Sequence, residues 1–296
     1  MYVITGATGN TGRVIAEALL KAGKKVRVMG RDADKLKSLV TLGAEAVVGS
    51  LEDARFLVTA FTGAKAVYLL IPPSYQTPDL GAHQDQVGDA EVKALREARV
   101  PYVVHLSSMG AHTPIGTGPV AGLFRQERRL NRLPDTHVLH LRPSYFMENA
   151  MNNLGMIKSM GINGGPLKAD LSMNYIATRD IANYATKRLL ALDFTGKDVQ
   201  ELIGAKDNTP QELTTALGLA IGKPDLKWIQ FPDEDAFKAM VGMGLSASLA
   251  QSFIDLSHFL NAGGGKVIPR DQENTTPTTI DQFAKEVFAP AYNAAG

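Results

Sequence analysis

The chain contains no cysteine among its 296 residues, which excludes disulfide bonds, thiolate catalysis and cysteine-ligated zinc. It also carries no excess of either charge, since 31 basic and 30 acidic side chains leave a formal net charge of +1. We therefore predict no direct contact with nucleic acid, which usually requires a basic face. The scattered histidines lack the spacing of metal ligands, so we predict no metal.

Long apolar runs are also missing. No run approaches the roughly 18 residues that a membrane-spanning helix needs. A strand pattern begins at Tyr2, without the pattern of a signal peptide before it. We therefore expect a soluble, cytoplasmic protein that makes no membrane contact.

The first half of the chain alternates short apolar runs with amphipathic helical patterns. This alternation predicts βαβ units and an α/β fold with a doubly wound, Rossmann-type parallel sheet. The predicted strands are Tyr2–Thr5, Lys25–Gly30, Ala46–Val48, Ala66–Leu70, Tyr102–Leu106 and His137–Arg142.

The second half is predicted to form a smaller, mostly helical substrate domain. We assign residues 1–150 and the returning segment 174–204 to the nucleotide-binding domain, and residues 151–173 and 205–296 to the smaller one. Thr209 is expected to cap a helix. The predicted elements beyond it are one continuous helix over 233–262, a glycine-rich loop over 261–266 and a last helix over 279–288.

A glycine-rich turn follows the first strand and opens the first helix, as in dinucleotide-binding folds. In such a turn Gly6 permits the tight bend, Gly9 lets the backbone approach a diphosphate, and Gly12 lets the helix pack closely on the sheet. The helix N-terminus then presents free N–H groups to the phosphates. We predict that the cofactor contacts Gly6, Thr8, Gly9, Asn10, Thr11 and Gly12.

The end of the second strand favours NADP(H) over NAD(H). An NAD site usually has a carboxylate there, whereas this chain has Arg31, which suits a 2′-phosphate. Asp32 follows directly, so NAD(H) stays open as the less favoured cofactor. Arg13 and Lys35 could add positive charge at the same place.

Several segments together resemble the NmrA-like group of atypical short-chain dehydrogenase/reductases. These are the turn Gly6–Arg13, the loop Ser107–Gly110, the segment Leu141-Arg142-Pro143-Ser144-Tyr145-Phe146-Met147-Glu148-Asn149, which is similar to the group's LRPxxFMEN pattern, and the segment Thr278–Ala284. The resemblance implies a Rossmann core, a small C-terminal substrate domain and a cleft between them. Members include NAD(P)H-dependent reductases of quinones and dyes, and redox sensors that bind NADP and a protein partner.

The general acid of the usual short-chain reductases is missing. No Tyr-x-x-x-Lys pair occurs in the chain, so we expect neither tyrosine-assisted carbonyl reduction nor sugar-nucleotide epimerisation. Many NmrA-like enzymes instead carry a lysine on the helix before the LRP strand, and our alignment puts Arg125 near that position. Arginine stays protonated, so Arg125 is expected to orient the ribose or an anionic substrate, or else to be a solvated helix residue.

The remaining candidates follow the strands at their carboxyl ends, where ligands bind in such folds. Each also has an ordinary structural interpretation as a turn or core residue. We predict Arg125, Ser108 and Tyr145 as catalytic residues; Arg31, Ile71, Pro72, Ser107 and Pro143 beside the cofactor; and Met109, Tyr145, Phe146 and Asn149 against the substrate. His105, inside a strand, is expected to be a satisfied core residue.

The leading hypothesis is an NADPH-dependent oxidoreductase that transfers hydride to a small planar electrophile such as a quinone or dye. The alternative is a non-catalytic NADP(H) redox sensor that acts through a protein partner. The expected binding partner is a small-molecule substrate, and the sequence also leaves open that the protein forms a homodimer.

Overall fold

The computed structural model of the chain describes residues 1–264 and 268–294. Its centre is a sheet of seven parallel strands in the order β10-β6-β5-β4-β1-β2-β3. The strands of the described residues are β1 (Tyr2–Ile4), β2 (Val26–Gly30), β3 (Glu45–Val48), β4 (Ala66–Leu69), β5 (Tyr102–Leu106), β6 (His137–Pro143), β7 (Tyr145–Phe146), β8 (Asn163–Gly165), β9 (Met173–Ile176), β10 (Lys197–Leu202), β11 (Asp207–Asn208) and β12 (Trp228–Gln230).

Helices cover this sheet, and further helices belong to the second half of the chain. They are α1 (Asn10–Lys21), α2 (Lys37–Thr41), α3 (Ala54–Phe61), α4 (Leu80–Glu97), α5 (Val120–Leu130), α6 (Leu154–Met160), α7 (Thr178–Ala191), α8 (Pro210–Ala220), α9 (Asp233–Gly242), α10 (Ala247–Asn261), α11 (Ile280–Phe283) and α12 (Ala289–Ala294), with 3₁₀ turns at Asp34–Leu36 and Met147–Asn153 and a π turn at Ala284–Phe288. Helices such as α1 and α7 lie on one face of the sheet, and α3 and α4 lie on the other. The predicted doubly wound α/β fold is confirmed.

Alternate residues of each strand build the two cores, since successive side chains point to opposite faces. Ile4 joins a core with residues of α1 and α7, such as Ile15 and Ile181. Val3 joins the opposite core with residues of α3 and α4, such as Phe61. The strand order reverses direction between β1 and β4, which makes the carboxyl edge there the expected place for a ligand.

The six predicted strands all form, within one residue at each end. β10 was not predicted as a strand, although its segment was assigned to the sheet domain. It pairs with β6 at the edge of the sheet, and its charged, partly exposed residues lack an apolar run. Edge strands commonly carry such charges.

The second half contributes two small sheets, β11-β9-β7 and β12-β8, with helices packed around a third core. This core joins Met147, Tyr175 and Leu217 to Phe283 and Phe288. The predicted capping box at Thr209 is present. The domain boundaries themselves stay a prediction.

The continuous helix predicted over 233–262 is wrong. The chain breaks between α9 and α10, where Gly244 has a φ of +94° and Ser246 caps α10 by accepting a hydrogen bond from Leu249 N–H. The helix predicted over 279–288 is instead a short α-helix followed by a π turn. Of the predicted loop 261–266, Gly265 and Lys266 lie outside the described residues.

Candidate active site

The glycine turn has the shape of a phosphate cradle. Gly6 has a φ of +59°, and a Cβ on Gly12 would lie 2.4 Å from the Gly6 carbonyl oxygen. α1 begins at Asn10 with Gly9 as its cap, without a side-chain cap and without an acidic residue in its first turn. The N–H groups at this helix end are therefore available to an anion.

The turn residues divide into exposed and buried ones. Thr8, Gly9 and Asn10 are exposed and line a surface cavity of about 270 Å³. Thr11 is buried, and its hydroxyl accepts a hydrogen bond of 2.9 Å from the phenol of Tyr68. The Thr11 side chain thus serves to join α1 to β4, which leaves its backbone N–H as the group that can face a phosphate.

Arg31 lies exposed just beyond the end of β2. Asp32 accepts a hydrogen bond of 2.9 Å from the backbone N–H of Asp34, so its carboxylate supports the following turn. Arg13 lies 3.3 Å from Glu17 on the surface of α1. Arg13 also lines the cavity at the turn, and the role of Arg31 at the 2′-phosphate stays a prediction.

Ser107 does not face the cleft with its side chain. Its hydroxyl donates a 2.5 Å hydrogen bond to the carboxylate of Glu127, which also accepts hydrogen bonds of 2.9 and 2.6 Å from Arg142. Both partners are largely buried, and the hydrogen-bonded Glu127 raises the pKa of Arg142. Sequence reasoning missed this Ser107–Glu127–Arg142 network, which fixes α5 to the ends of β5 and β6.

Arg125 is not brought together with the other predicted catalytic residues. Its guanidinium contacts α4, with Nε 2.7 Å from the Asp85 carboxylate and Nη2 3.3 Å from the Gly81 carbonyl. Val120 is the α5 residue that lines the cleft pocket, and Arg125 lies about 140° around the helix from it. The structure therefore gives no support to Arg125 as a catalytic residue.

A pocket does form at the carboxyl ends of β5 and β6. Its volume is about 70 Å³, well below the roughly 300–1,000 Å³ of typical small-molecule sites. The lining brings together the predicted residues Ser108, Met109 and Tyr145. The other lining residues are Gly110, Thr117, Val120, Ser144, Met173, Asn174, Leu256, Phe259 and Leu260. None of these described lining residues is charged.

α10 covers this pocket and accounts for its small volume. Gly118, with a φ of +53°, lies so close to α10 that a Cβ there would be 1.9 Å from the Ser252 carbonyl oxygen. The α9–α10 turn is also tied to the loop after β4, because Ser246 N–H donates to the Tyr75 carbonyl at 2.7 Å. Ile71 and Pro72, predicted beside the cofactor, are partly exposed residues at the start of that loop. The helical segment of the second half is thus a cover over the cleft.

Tyr145 and Phe146 point to opposite sides of β7. Tyr145 lines the pocket, and Phe146 packs against the core that contains Ile4 and Ile181. Burial raises the pKa of the Tyr145 phenol, and a hydrogen bond with the Asn149 side chain opposes this shift. Tyr145 is therefore a weak acid, suited to orienting a substrate more than to protonating it.

Two further residues of the LRP segment have structural contacts. Pro143 is buried, and its carbonyl accepts a 2.9 Å hydrogen bond from Met109 N–H, which holds the loop after β5 against the end of β6. Glu148 accepts hydrogen bonds from the backbone N–H (3.0 Å) and hydroxyl (2.6 Å) of Thr178, the first residue of α7. Burial raises the pKa of Glu148, and the bonds from Thr178 oppose this. The LRP segment is therefore hydrogen-bonded both to the loop after β5 and to the start of α7.

The fold agrees with the comparisons to known proteins. The chain belongs to the NmrA-like family, whose profile matches residues 2–284. The resemblance inferred from the glycine turn and the LRP segment is thereby confirmed. Within the part of the chain that the structure describes, no helix is long and apolar enough to cross a membrane.

Relatives of the chain include reductases of several small molecules. An NAD(P)H azoreductase from Xenophilus azovorans is 28% identical over 260 residues, which cover 86% of each chain. The structure of an NADPH-dependent quinone oxidoreductase from Escherichia coli, complexed with NADPH, has a TM-score of 0.80 at 21% identity and covers 97% of this chain and 100% of its own. A triphenylmethane reductase from Citrobacter sp., complexed with NADP(H), has a TM-score of 0.81 at 20% identity, covering 97% and 99%. At these identities the solved structures show the shared fold.

Proposed function

We propose that the protein is an NADPH-dependent oxidoreductase that reduces a small, planar, uncharged electrophile such as a quinone. The observation that carries this proposal is the uncharged, largely apolar pocket at the carboxyl ends of β5 and β6. The relatives named as azoreductase and quinone oxidoreductase support a substrate of this kind.

The cofactor assignment rests on the fit of the turn to a dinucleotide. Gly9 lets the backbone approach closely, the uncapped start of α1 offers free N–H groups, and Arg31 supplies a cation beyond β2. When bound, NADPH supplies the hydride. The relatives solved with NADPH or NADP(H) support the same assignment.

The protein's own contribution is positioning and the exclusion of water. α10 closes the pocket with Leu256, Phe259 and Leu260, and Tyr145 and Met109 form its inner walls. Holding a planar acceptor in one orientation supplies much of the rate enhancement of such a transfer. A quinone that accepts a hydride can take its proton from water, so no strong acid is needed in the pocket. For a substrate to enter, α10 has to move outward.

The lack of a strong proton donor among the described residues that line the pocket also supports a redox sensor as a second candidate function. Tyr145 is the one phenol among the described lining residues, and burial raises its pKa. A sensor needs different affinities for the oxidised and reduced cofactor, since only differential binding shifts a conformational equilibrium.

One experiment separates the two candidates. The purified protein is titrated with NADPH, NADP⁺ and NADH, and NADPH consumption is then followed with menadione, azo dyes and triarylmethane dyes. Tight NADPH binding with turnover supports the reductase. Tight and selective binding without turnover of any acceptor supports the sensor, and absence of NADPH binding refutes both.

A further inference from the structure

Ser144 lines the pocket and carries a hydroxyl that finds no partner among the described residues. The residue is 5% exposed, and its backbone N–H donates a 2.9 Å hydrogen bond to the Leu202 carbonyl. Its Oγ, by contrast, is buried and has no hydrogen-bond partner within residues 1–264 and 268–294. Buried hydroxyl groups are nearly always paired, because an unpaired one loses its bonds to water without replacement. Ser144 lines the pocket, so a ligand there is the natural partner for this hydroxyl.

Asn174 adds a second donor to the same pocket. It is 6% exposed, and its Oδ1 accepts a 2.8 Å hydrogen bond from Arg270. Arg270 is itself held by an ion pair with Asp207 and a hydrogen bond to the Gly204 carbonyl. Because Arg270 takes the oxygen of the Asn174 amide, the NH₂ group is the polar part left to face the pocket. An amide held in this way is a donor in a fixed orientation.

We propose that the Ser144 hydroxyl and the Asn174 amide bind a carbonyl oxygen of the substrate. This inference rests on the proposed reductase function and narrows its substrate class to neutral carbonyl acceptors such as quinones and enones. Ser144 and Asn174 both line the pocket, and a carbonyl oxygen has two lone pairs that can accept from two donors. Hydride addition increases the negative charge on that oxygen, so both hydrogen bonds strengthen as the reaction proceeds.

The same pocket is a poor match for a cationic triarylmethane dye. Such a dye brings a delocalised positive charge, and no carboxylate occurs among the described residues that line the pocket. The Ser144 hydroxyl and the Asn174 amide would also find no hydrogen-bond acceptor on a dye that carries only alkylated amines. Discrimination is strong where a site's buried polar groups are left unpaired by the wrong ligand.

The principal test replaces Ser144 by alanine. Ser144→Ala is expected to lower kcat/KM for menadione by about tenfold, the factor that one ordinary hydrogen bond supplies. The weaker turnover of crystal violet should change by less than about twofold. The variant should be as thermally stable as the wild type or more so, because the lost hydroxyl has no partner in the fold. A hydroxyl with only a structural role would show the opposite, with lower stability and no preference among acceptors.

Three more variants complete the design. Ser144→Gly removes the hydroxyl together with Cβ and serves as a second test of the loss of the donor. Ser159→Ala is the matched control, since Ser159 is an exposed residue of α6 that bonds to the Gly155 carbonyl, and it should leave both activities unchanged. Asn174→Asp keeps the oxygen for Arg270 but turns the donor into a negative acceptor, so it should weaken menadione reduction and improve crystal violet reduction.

The outcomes distinguish this proposal from the proposed function. Equal losses for both acceptors in Ser144→Ala, or a clear fall in its stability, would overturn the donor pair while leaving the reductase intact. If the wild type reduces no acceptor, the reductase fails. The donor pair is then tested by calorimetric binding of menadione and 2-methylnaphthalene to the NADP⁺-loaded protein. A preference for menadione that Ser144→Ala removes supports the pair, and equal affinities refute it.

Discussion

A buried histidine pair should make the stability of this protein fall steeply in mild acid. His105 on β5 and His140 on β6 are both fully buried, and their Nδ1 atoms lie 3.0 Å apart. His140 Nε2 is 3.0 Å from Asn131 Oδ1. In this network His140 donates to Asn131 and accepts from His105, so both rings are neutral. His105 Nε2 is buried without a partner among the described residues, so an added proton has no acceptor there.

The sign and size of the effect follow from the pKa values. Burial lowers the pKa of His140 to about 4, with the Glu127 carboxylate opposing, and burial with the nearby His140 lowers the pKa of His105 well below its usual range. In the unfolded chain these two histidines take up protons near pH 6.5, whereas in the folded protein they stay neutral at that pH. The stability that the neutral pair contributes is therefore fully present above pH 7 and is lost as the pH falls. For His140 alone, linkage gives a loss of about 2 kcal/mol between pH 8 and pH 5. His105 adds a loss of the same sign.

The assay is urea unfolding at pH 8, 6 and 5, compared between the wild type and the double variant His105→Leu/His140→Leu. Replacing both partners by apolar residues removes the titration without leaving one imidazole unpaired. The double variant should therefore lose at least about 2 kcal/mol less than the wild type over this range. His258→Gln serves as the comparison for the loss of an exposed histidine, one that pairs with Asp233 on the surface. A double variant with the same pH dependence as the wild type would refute the reasoning, as would imidazole NMR shifts showing either ring protonated at pH 6.

Three other predictions concern the cofactor turn and a buried acid. Arg31→Ala should weaken NADPH binding by roughly 10- to 100-fold and NADH binding by less than threefold, because a guanidinium–phosphate contact supplies that difference. Titration with each cofactor measures both affinities, and equal losses would exclude a contact between Arg31 and the 2′-phosphate. Gly9→Ala should fold normally and bind NADPH at least tenfold more weakly. Gly12→Ala, whose Cβ would lie 2.4 Å from the Gly6 oxygen, should instead lose roughly 1–3 kcal/mol of stability. Similar melting temperatures for the two variants would contradict this packing argument. Burial raises the pKa of Glu91 well above its usual range, so the contribution of this side chain to the stability of the fold declines as the pH rises. Glu91→Gln should therefore be more stable than the wild type in urea unfolding at pH 8. A loss of stability in this variant would show that the fold favours the charged form of Glu91.

The parts of the fold that depend on local patterns could be predicted from the sequence. Buried parallel strands read as short apolar runs, and the glycine turn is read from adjacent residues. β10 does not follow this pattern, because an edge strand has one paired side and tolerates charges such as Lys197 and Glu201. The α9–α10 break was missed because the apolar periodicity continues on both sides of Gly244.

The substrate pocket could be predicted only in part. Ser108 and Tyr145 follow predicted strands, and the rule that ligands bind at the carboxyl ends places them near the cleft. Leu256 and Phe259 come from a helix more than a hundred residues further along the chain, and helical periodicity does not say what its apolar face covers. The role of Arg125 stays a prediction that the structure does not support, because the sequence pattern indicates its position along α5 but not which side of the helix faces the cleft.

The LRP segment itself suggests how its scaffold and its specificity are divided. Arg142 pairs with Glu127 on α5, and Glu148 caps α7, so these two specified positions of the pattern hold neighbouring elements in place. The two unspecified positions of the pattern, Ser144 and Tyr145, are the residues of the segment that line the pocket. A substitution at Arg142 or Glu148 should therefore cost stability first, and one at Ser144 or Tyr145 should change the choice of acceptor first. On this argument the segment that identifies the family says little about the substrate, and the variable residues within it say the most.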